Sequence, residues 1–305
     1  MAPRWWSATI SSFLLFGAPR IGAQPPLAAL PDSFIYRDIG GQPLYLYLFR
    51  PSAPRAATPL NVVLLFHGGG WSAGAPGWTY PAARQFAEWG LVAIPVQYRL
   101  THGDITPLDA IDDVCTALRW VRAHAGEFGL TQRIAGYGVS AGGHLISATS
   151  TVGCSNREAG PDALLLLSPA LDLARDQWFR KLLQGRATAA SQSPVEHVRR
   201  STAPTSIIQG AADVLTPASG ARRYCALLHQ QGQTCDLHLY EGLGHLLTRN
   251  LKDQETAFDP DPRARADGFE RHRAFLRRLG FLPISERPPA PERDHQSAVG
   301  TGKTR

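Results

Sequence analysis

The segment Gly138-Val139-Ser140-Ala141-Gly142 decides the fold of this chain. It follows an apolar run that ends near Tyr137 and precedes a helix-like stretch of small and apolar residues over 141–150. The two glycines permit a sharp, strained turn between strand and helix, and the serine side chain then projects from the edge of a sheet. A pentapeptide of this kind alone is modest support, because small-residue turns match it by chance. Its strand–turn–helix setting predicts a nucleophilic serine at residue 140.

Strand-like runs on both sides of this segment alternate with helix-like stretches. Several of the runs are almost wholly apolar, which is typical of parallel strands that helices cover on both faces. The sequence therefore predicts an α/β fold with a mostly parallel central sheet and helices on both faces. The runs are Leu44–Phe49, Val62–Phe66, Val92–Val96, Arg133–Tyr137, Ala163–Leu167, Ser206–Gln209 and Leu237–Tyr240.

Two helices are indicated by apolar residues at spacings of three and four. One covers residues 111–121 and follows Asp109, which we expect to be either its N-cap or an acid of its first turn. The other covers residues 269–279 and ends at Gly280. Both apolar faces are interpreted as core.

A single globular domain is expected over residues 24–282. Residues 171–203 carry few strand signals, so we expect them to form a small lid excursion over the sheet. Residues 283–305 are rich in proline and polar residues and predict a disordered tail.

The first 23 residues have the plan of a secretory signal peptide. Arg4 precedes an apolar stretch from Trp5 to Phe16, and small residues follow up to Ala23. We expect cleavage after Ala23 and a secreted or periplasmic location. An uncleaved amphipathic start of the domain stays open, because three serines dilute the apolar stretch.

The four cysteines are even in number, which permits two disulfides in an exported chain. Cys225 and Cys235 lie on a predicted helix and at the start of the next strand, where a bridge is sterically reasonable, and this leaves Cys115 with Cys154. Four buried free thiols remain an alternative. A metal site is the weaker interpretation, because no cysteine or histidine pair has ligand spacing.

Composition and charge exclude several classes of protein. The chain has 305 residues, of which 44% are hydrophobic and 18% charged, as in folded domains. The net charge of +6 comes from scattered arginines without a basic run, so we expect no nucleic-acid partner. No stretch after the first sixteen residues reaches the roughly 18 apolar residues of a spanning helix, so an integral membrane span is not expected.

A glycine run, His67-Gly68-Gly69-Gly70-Trp71, directly follows the strand Val62–Phe66. Such a run lets backbone N–H groups approach a substrate oxygen and stabilise the charge that develops there. We expect the N–H groups of Gly69, Gly70 and Ala141 to form an oxyanion hole. His67 is interpreted as fixing the loop by hydrogen bonds.

An acid and a base follow the serine in chain order. Asp213 comes after the strand Ser206–Gln209, and His245 comes after the next strand in a glycine-containing loop. We expect His245 to accept the Ser140 proton and Asp213 to hold the imidazole. Asp172 is a competing candidate for the acid because it too follows an apolar strand. The order serine, aspartate, histidine differs from that of the two main serine-protease types.

The chain resembles the α/β-hydrolase superfamily, in particular its hormone-sensitive-lipase-like and feruloyl-esterase-like carboxylesterases. The resemblance spans about residues 40–280. Val139 stands where many hormone-sensitive-lipase-like members have an acid, which favours the feruloyl-esterase-like branch. The residues that carry the resemblance are HGGGW at 67–71, Tyr98-Arg99-Leu100, Asp109-Ala110, Trp120-Val121, GVSAGG at 138–143, Gln209-Gly210 with Asp213, and Gly244-His245.

This resemblance implies an α/β-hydrolase domain with serine carboxylesterase activity. The expected substrates are short-chain, aryl or acylated carbohydrate esters, cleaved through an acyl-enzyme without a metal or organic cofactor. A serine peptidase of the same fold and a non-catalytic hydrolase-like binding module remain alternatives.

Residues around the expected site are assigned less specific roles. Trp71, Trp178 and Phe179 are expected either to line the substrate pocket or to pack the lid. His144 is interpreted as a packed structural histidine. The segment 246–262 after His245 is longer than is usual in the family that the chain resembles.

Overall fold

The computed structural model describes residues 31–52, 59–154 and 160–282. The expected signal peptide (1–23) and the expected tail (283–305) lie outside the described residues. Eight strands and six α-helices occur in the described ranges.

Six strands form one parallel sheet in the order β4-β3-β5-β6-β7-β8. The apolar runs explain why these strands lie inside: all five residues of β6, for example, are buried between the two helix layers. The expected parallel sheet is therefore confirmed. The strands are β3 (Leu60–Phe66), β4 (Val92–Pro95), β5 (Leu130–Val139), β6 (Ala163–Leu167), β7 (Thr205–Gly210) and β8 (Cys235–Tyr240).

The first expected strand lies outside the parallel sheet. It is β2 (Gln42–Leu48), which pairs in antiparallel orientation with β1 (Asp32–Ile39), a strand that the sequence did not indicate. Isolated antiparallel bridges join Leu46 to Val96 and Phe49 to Ala93, so this hairpin adjoins the region of β4.

Helices cover both faces of the parallel sheet. α1 (Tyr80–Glu88) and α6 (Pro262–Arg278) pack on one face. The other face is covered by α2 (Pro107–Ala123), α3 (Ala141–Thr151) and α5 (Ala218–Gln230). None of the helices in the described ranges is long and apolar enough to cross a membrane.

Capping residues set the starts of the two helices that the sequence indicated. Asp109 is the first-turn acid of α2, where its carboxylate accepts the N–H of the N-cap Thr106 at 2.8 Å. α6 begins seven residues earlier than expected. Asp261 caps it by accepting the N–H of Ala264 at 2.8 Å, and Pro262 occupies its first position.

Two disulfides are present, with the pairing that the sequence indicated. Cys115–Cys154 joins α2 to the chain just after α3, across a separation of 39 residues. Cys225–Cys235 joins α5 to the start of β8. The four cysteines are therefore not free thiols.

The expected excursion 171–203 connects β6 to β7. It contains the short helix α4 (Gln177–Leu182) and two 3₁₀ turns, Ala190–Gln192 and Pro194–His197.

Four loops meet at the carboxyl edge of the sheet. The HGGGW loop follows β3, and Ser140 follows β5, its neighbour in the sheet. Because β3 leads outward to β4 while β5 leads to β6 on the other side, this is the point where the strand order reverses, and ligands of open α/β sheets bind there. Asp213 follows β7 and His245 follows β8 on the same edge.

Candidate active site

Ser140 lies in a strained turn between β5 and α3, with φ of 51° and ψ of −116°. The turn needs glycine on both sides because the backbone passes so close. A Cβ at Gly142 would lie 2.3 Å from the carbonyl oxygens of Phe66 and His67, and one at Gly138 would lie 2.6 Å from Gly143 Cα. The strained geometry that the flanking glycines predicted is present, and such strain is typical of functional sites.

His245 connects Ser140 to Asp213. Its Nε2 lies 3.0 Å from Ser140 Oγ, and its Nδ1 lies 2.8 Å from Asp213 Oδ2. The carboxylate is an acceptor only, so we assign the proton to Nδ1, which leaves Nε2 to accept the serine hydroxyl. Asp213 and His245 are both buried. The arrangement can deprotonate Ser140 as it attacks a substrate.

The turn after β7 holds the Asp213 carboxylate. Oδ1 accepts the N–H groups of Leu215 at 3.0 Å and Thr216 at 2.9 Å. Oδ2 accepts Thr216 Oγ1 at 2.9 Å and Gln209 Nε2 at 2.8 Å. These bonds fix the carboxylate that faces His245. Sequence reasoning named Gln209 only as part of the motif that carries the resemblance, and it missed Thr216, although an aspartate side chain that accepts backbone N–H groups two residues later is a known turn signal.

Gln254 joins the loops that carry the acid and the base. Its Oε1 accepts the backbone N–H groups of His245 at 2.9 Å and Val214 at 3.1 Å, and its Nε2 donates to the Ala212 carbonyl at 3.0 Å. The side chain is buried against Gly244, where a Cβ would lie 2.4 Å from Gln254 Cδ. The long segment 246–262 thus supplies a support for the base, which sequence reasoning missed.

The residues expected to form the oxyanion hole lie next to Ser140. A Cβ at Gly68 would lie 3.2 Å from Ser140 Cβ, so the glycine loop runs directly beside the serine. Gly69 and Gly70 have φ of 111° and 57°, values that favour glycine. Within the described ranges, the N–H groups of Gly69, Gly70 and Ala141 donate to no protein acceptor.

His67 lies beneath this loop and holds it. Its Nδ1 is 2.6 Å from the Gly68 carbonyl, and its ring stacks on Tyr98 at 4.4 Å between centroids. The Tyr98 hydroxyl donates to the His67 carbonyl at 2.7 Å. Burial lowers the pKa of His67 to about 4, so the ring is neutral at pH 7. These contacts agree with the expected structural role.

A cavity of about 830 Å³ opens above Ser140 and His245. Trp71 and Trp178 line it, as the sequence allowed. Phe179 does not line it: the side chain is completely buried, 4.9 Å from the ring of Trp71 and 4.9 Å from that of His144. Of the two roles considered for Phe179, packing of the excursion is the one observed.

His144 joins the HGGGW loop to the excursion. Trp71 Nε1 donates to His144 Nδ1 at 3.0 Å, and His144 Nε2 donates to the Gln192 carbonyl at 2.9 Å. Both partners require the neutral ring, and burial lowers its pKa to about 4. His144 therefore has the contacts of a packed structural histidine.

Asp172 is not placed beside the base. Its carboxylate pairs with Arg223 at 3.1 Å and lines a separate surface pocket of about 510 Å³. The geometry therefore brings Asp213, and not Asp172, to His245.

Exposed apolar side chains surround the mouth of the cavity. In the described part of the chain, seven large hydrophobic side chains are exposed, and five of them line this cavity. Clusters of exposed apolar side chains on a protein surface often mark binding sites. The five are Trp78, Trp178, Val214, Leu215 and Phe258, of which the sequence had indicated only Trp178.

Comparison with known proteins identifies the family. Residues 63–249 match the sequence profile of a family described as the alpha/beta hydrolase fold. The chain belongs to this family. The expected superfamily is thus confirmed by more than half of the sequence.

Curated relatives include enzymes that act on esters. A probable carboxylic ester hydrolase, LipM of Mycobacterium tuberculosis, is 29% identical over 194 residues, which are 55% of this chain and 45% of LipM. An arylesterase of Saccharolobus solfataricus is 35% identical over 107 residues, 34% of this chain and 35% of that protein. Carboxylesterase NlhH of Mycobacterium tuberculosis is 43% identical over 88 residues, 28% of this chain and 27% of NlhH. The chain covers less than half of the length of each of these three relatives.

Solved structures of Thermogutta terrifontis esterase 2 share the fold over nearly their whole length. The apo form has a TM-score of 0.74 and 28% identity, covering 86% of this chain and 99% of that one. The propionate-bound form has a TM-score of 0.73 and 28% identity, covering 84% and 97%. Together, the matches support a carboxylic ester hydrolase of the hormone-sensitive-lipase-like type.

Proposed function

We propose that this chain is a serine carboxylesterase that works through an acyl-enzyme. The observation that carries the proposal is the relay from Asp213 through His245 to Ser140, with contacts of 2.8 and 3.0 Å at the floor of an open cavity. A hydroxyl, a base and an orienting carboxylate in this order are the parts that acyl transfer requires.

In the proposed reaction, Ser140 Oγ attacks the ester carbonyl while His245 Nε2 takes its proton. The carbonyl oxygen becomes an oxyanion and accepts the free N–H groups of the glycine loop and Ala141. His245 then gives the proton to the leaving alcohol, and the acyl group stays on Ser140. Water, deprotonated by the same histidine, releases the acid.

The aromatic lining of the cavity favours short-chain or aryl esters. Trp78, Trp178 and Phe258 offer flat apolar surfaces at the mouth, and Trp71 offers a further one inside. The arylesterase among the relatives and the propionate- and butyrate-bound structures of Thermogutta terrifontis esterase 2 agree with this size of substrate. Acylated carbohydrates stay in the proposal because an acetylxylan esterase of Xylanibacter ruminicola also matches, at 29% identity over 178 residues.

A secreted or periplasmic location is part of the proposal. Two disulfides in one domain are typical of oxidising compartments, and the first 23 residues fit a signal peptide. N-terminal sequencing of the exported protein tests this. A mature chain that begins at Gln24 supports the proposal. Retention of the protein in the cytoplasm, with its first 23 residues uncleaved, contradicts it.

The activity is tested with p-nitrophenyl esters from acetate to laurate, a feruloyl ester and acetylated xylan. Wild type is expected to turn over acetate or butyrate rapidly, and Ser140→Ala to lose activity on the order of a million-fold. Aminopeptidase and dipeptidyl substrates run in parallel. Peptide cleavage without ester cleavage would favour a peptidase, and no turnover at all would favour a binding module.

A further inference from the structure

The cavity above Ser140 contains a cation that no residue of the described ranges neutralises. Arg265, on the first turns of α6, lines the cavity together with Ser140 and His245. Its side chain is exposed, and across the described residues it makes no ion pair and no hydrogen bond. Other arginines of α6 form ion pairs with carboxylates: Arg271 pairs with Asp267, and Arg278 pairs with Asp236. The guanidinium of Arg265 is therefore available to a ligand.

A second free donor lies beside it. Tyr137 lines the same cavity and, together with Arg265, a small apolar cavity beneath it. Within the described ranges, its hydroxyl has no hydrogen-bond partner. Burial raises the pKa of Tyr137 to about 12, against the opposing effect of Arg265, so the hydroxyl keeps its proton. Arg265 and Tyr137 thus present N–H and O–H donors in one corner.

Among the described residues, the acidic side chains that line the cavity do not pair with Arg265 or Tyr137. The two that line it are Asp176 and Glu255. Asp176 caps α4 by accepting the N–H of Phe179 at 2.8 Å, and neither acid forms an ion pair with Arg265 among the described residues. The small cavity that Arg265 also lines is mostly apolar, with Leu167 and Phe269 among its walls, and its one further polar side chain among the described residues is the buried His272. The natural complement of a planar guanidinium and a hydroxyl donor in an apolar corner is a carboxylate.

We infer that Arg265 and Tyr137 form a subsite for a carboxylate on the substrate, at a distance from the ester bond that Ser140 cleaves. The substrate class is then esters that carry a free carboxylate, such as half-esters of dicarboxylic acids or esters of carboxyl-bearing phenols. This inference rests on the proposed esterase function. It assigns to Arg265 substrate selectivity and no part in the chemical step.

The experiment compares anionic and neutral esters of matched size. One pair places the charge on the acyl side: mono-p-nitrophenyl glutarate against p-nitrophenyl hexanoate. The other places it on the alcohol side: p-carboxyphenyl butyrate against p-methylphenyl butyrate. For each pair, the selectivity is the ratio of kcat/KM for the anionic ester to kcat/KM for the neutral one.

Arg265→Gln is expected to lower this ratio about tenfold for one pair, as the loss of a partly exposed charged hydrogen bond does. Tyr137→Phe lowers it by a smaller factor. The control is Arg263→Gln, because Arg263 lies on the same helix, is exposed and does not line the cavity. The wild-type ratio also falls as salt is raised, and that of Arg265→Gln does not.

An unchanged ratio for both pairs in Arg265→Gln, or an equal loss in Arg263→Gln, overturns the subsite. Failure of the esterase proposal is a different result, since wild type would then cleave the neutral esters no faster than Ser140→Ala. In that event, binding of glutarate is measured as the change in the Tm of wild type when glutarate is added. A rise in Tm that Arg265→Gln abolishes and Arg263→Gln retains supports the subsite, and no rise overturns it.

Discussion

The side chain of Gln254 holds the backbone of His245 at 2.9 Å, and the same amide group reaches the loop that begins at Ala212. The proposed base and the proposed acid are thus tied by one buried glutamine from a third segment. Gly244 and His245 also share backbone hydrogen bonds with Leu247 and Thr248, whereas the hydrogen bonds seen in the described residues between the Asp213 loop and the segment 246–262 all go to Gln254.

We expect Gln254→Ala to lower kcat about 10- to 100-fold and to leave KM nearly unchanged. Misplacing a catalytic group by about 1 Å can cost that much, while the substrate contacts stay in place. Steady-state kinetics on p-nitrophenyl butyrate measure both constants. Gln231→Ala, at an exposed glutamine after α5, is the control and retains wild-type kinetics. A rise in KM with kcat unchanged would contradict the positioning role.

The choice of triad acid is tested by two aspartate variants. Asp213→Asn is expected to lower kcat by about 10⁴, as for other triad acids, because the amide no longer stabilises the imidazolium. Asp172→Asn is expected to stay within about twofold of wild type, since Asp172 pairs with Arg223 outside the cavity. The reverse order of effects in kcat would assign the acid to Asp172.

Buried His144 makes stability depend on pH. Its pKa is lowered from 6.5 to about 4 by burial, so between these values the unfolded chain binds a proton that the folded chain does not. The stability contributed by the neutral ring is complete above pH 6.5 and is lost as pH falls toward 4. The free energy of unfolding is expected to fall by on the order of 1 kcal/mol per pH unit in this range from this residue.

His144→Gln is expected to reduce that slope, because glutamine can bond Trp71 and Gln192 without titrating. The free energy of unfolding, measured with urea at about pH 4.5, 5.5 and 6.5, gives this slope. His102→Gln changes an exposed histidine and should leave the slope as in wild type. Equal slopes for wild type and His144→Gln would show that His144 does not contribute to the pH dependence of stability.

Gly142 is expected to tolerate no side chain. In Gly142→Ala, the added Cβ would lie 2.3 Å from two backbone carbonyl oxygens of β3 and the following loop, so main chain must move. We expect a loss of stability on the order of 3–5 kcal/mol by urea unfolding, together with lost activity. Gly126→Ala meets nothing within 4 Å and serves as the matched control. A stable, active Gly142→Ala would mean that the turn is looser than described.

The parallel sheet could be predicted from the sequence because its strands are continuous apolar runs bounded by turns. β1 could not, since only Tyr36 of its eight residues is buried and the strand shows no apolar alternation. The start of α6 was missed for a similar reason: in its first turn only Ala264 is buried, between exposed arginines at 263 and 265.

At the candidate site, residues that directly follow strands could be predicted, because parallel strands bring their carboxyl ends together. Gln254 could not, since its contact depends on a loop path in which Leu246 and Leu247 adopt positive φ values of 54° and 62°. Trp178 and Phe179 are neighbours in sequence but lie on a helix, where adjacent side chains point in different directions. Only the first therefore faces the cavity.

The central claim is that Ser140 is an activated nucleophile, and reaction with a fluorophosphonate probe tests it most directly. Peptide mass mapping of folded wild type is expected to find one stoichiometric adduct on Ser140, with none in Ser140→Ala or in urea-denatured wild type. An unlabelled Ser140 in folded wild type, or an equal adduct in Ser140→Ala, would contradict the account.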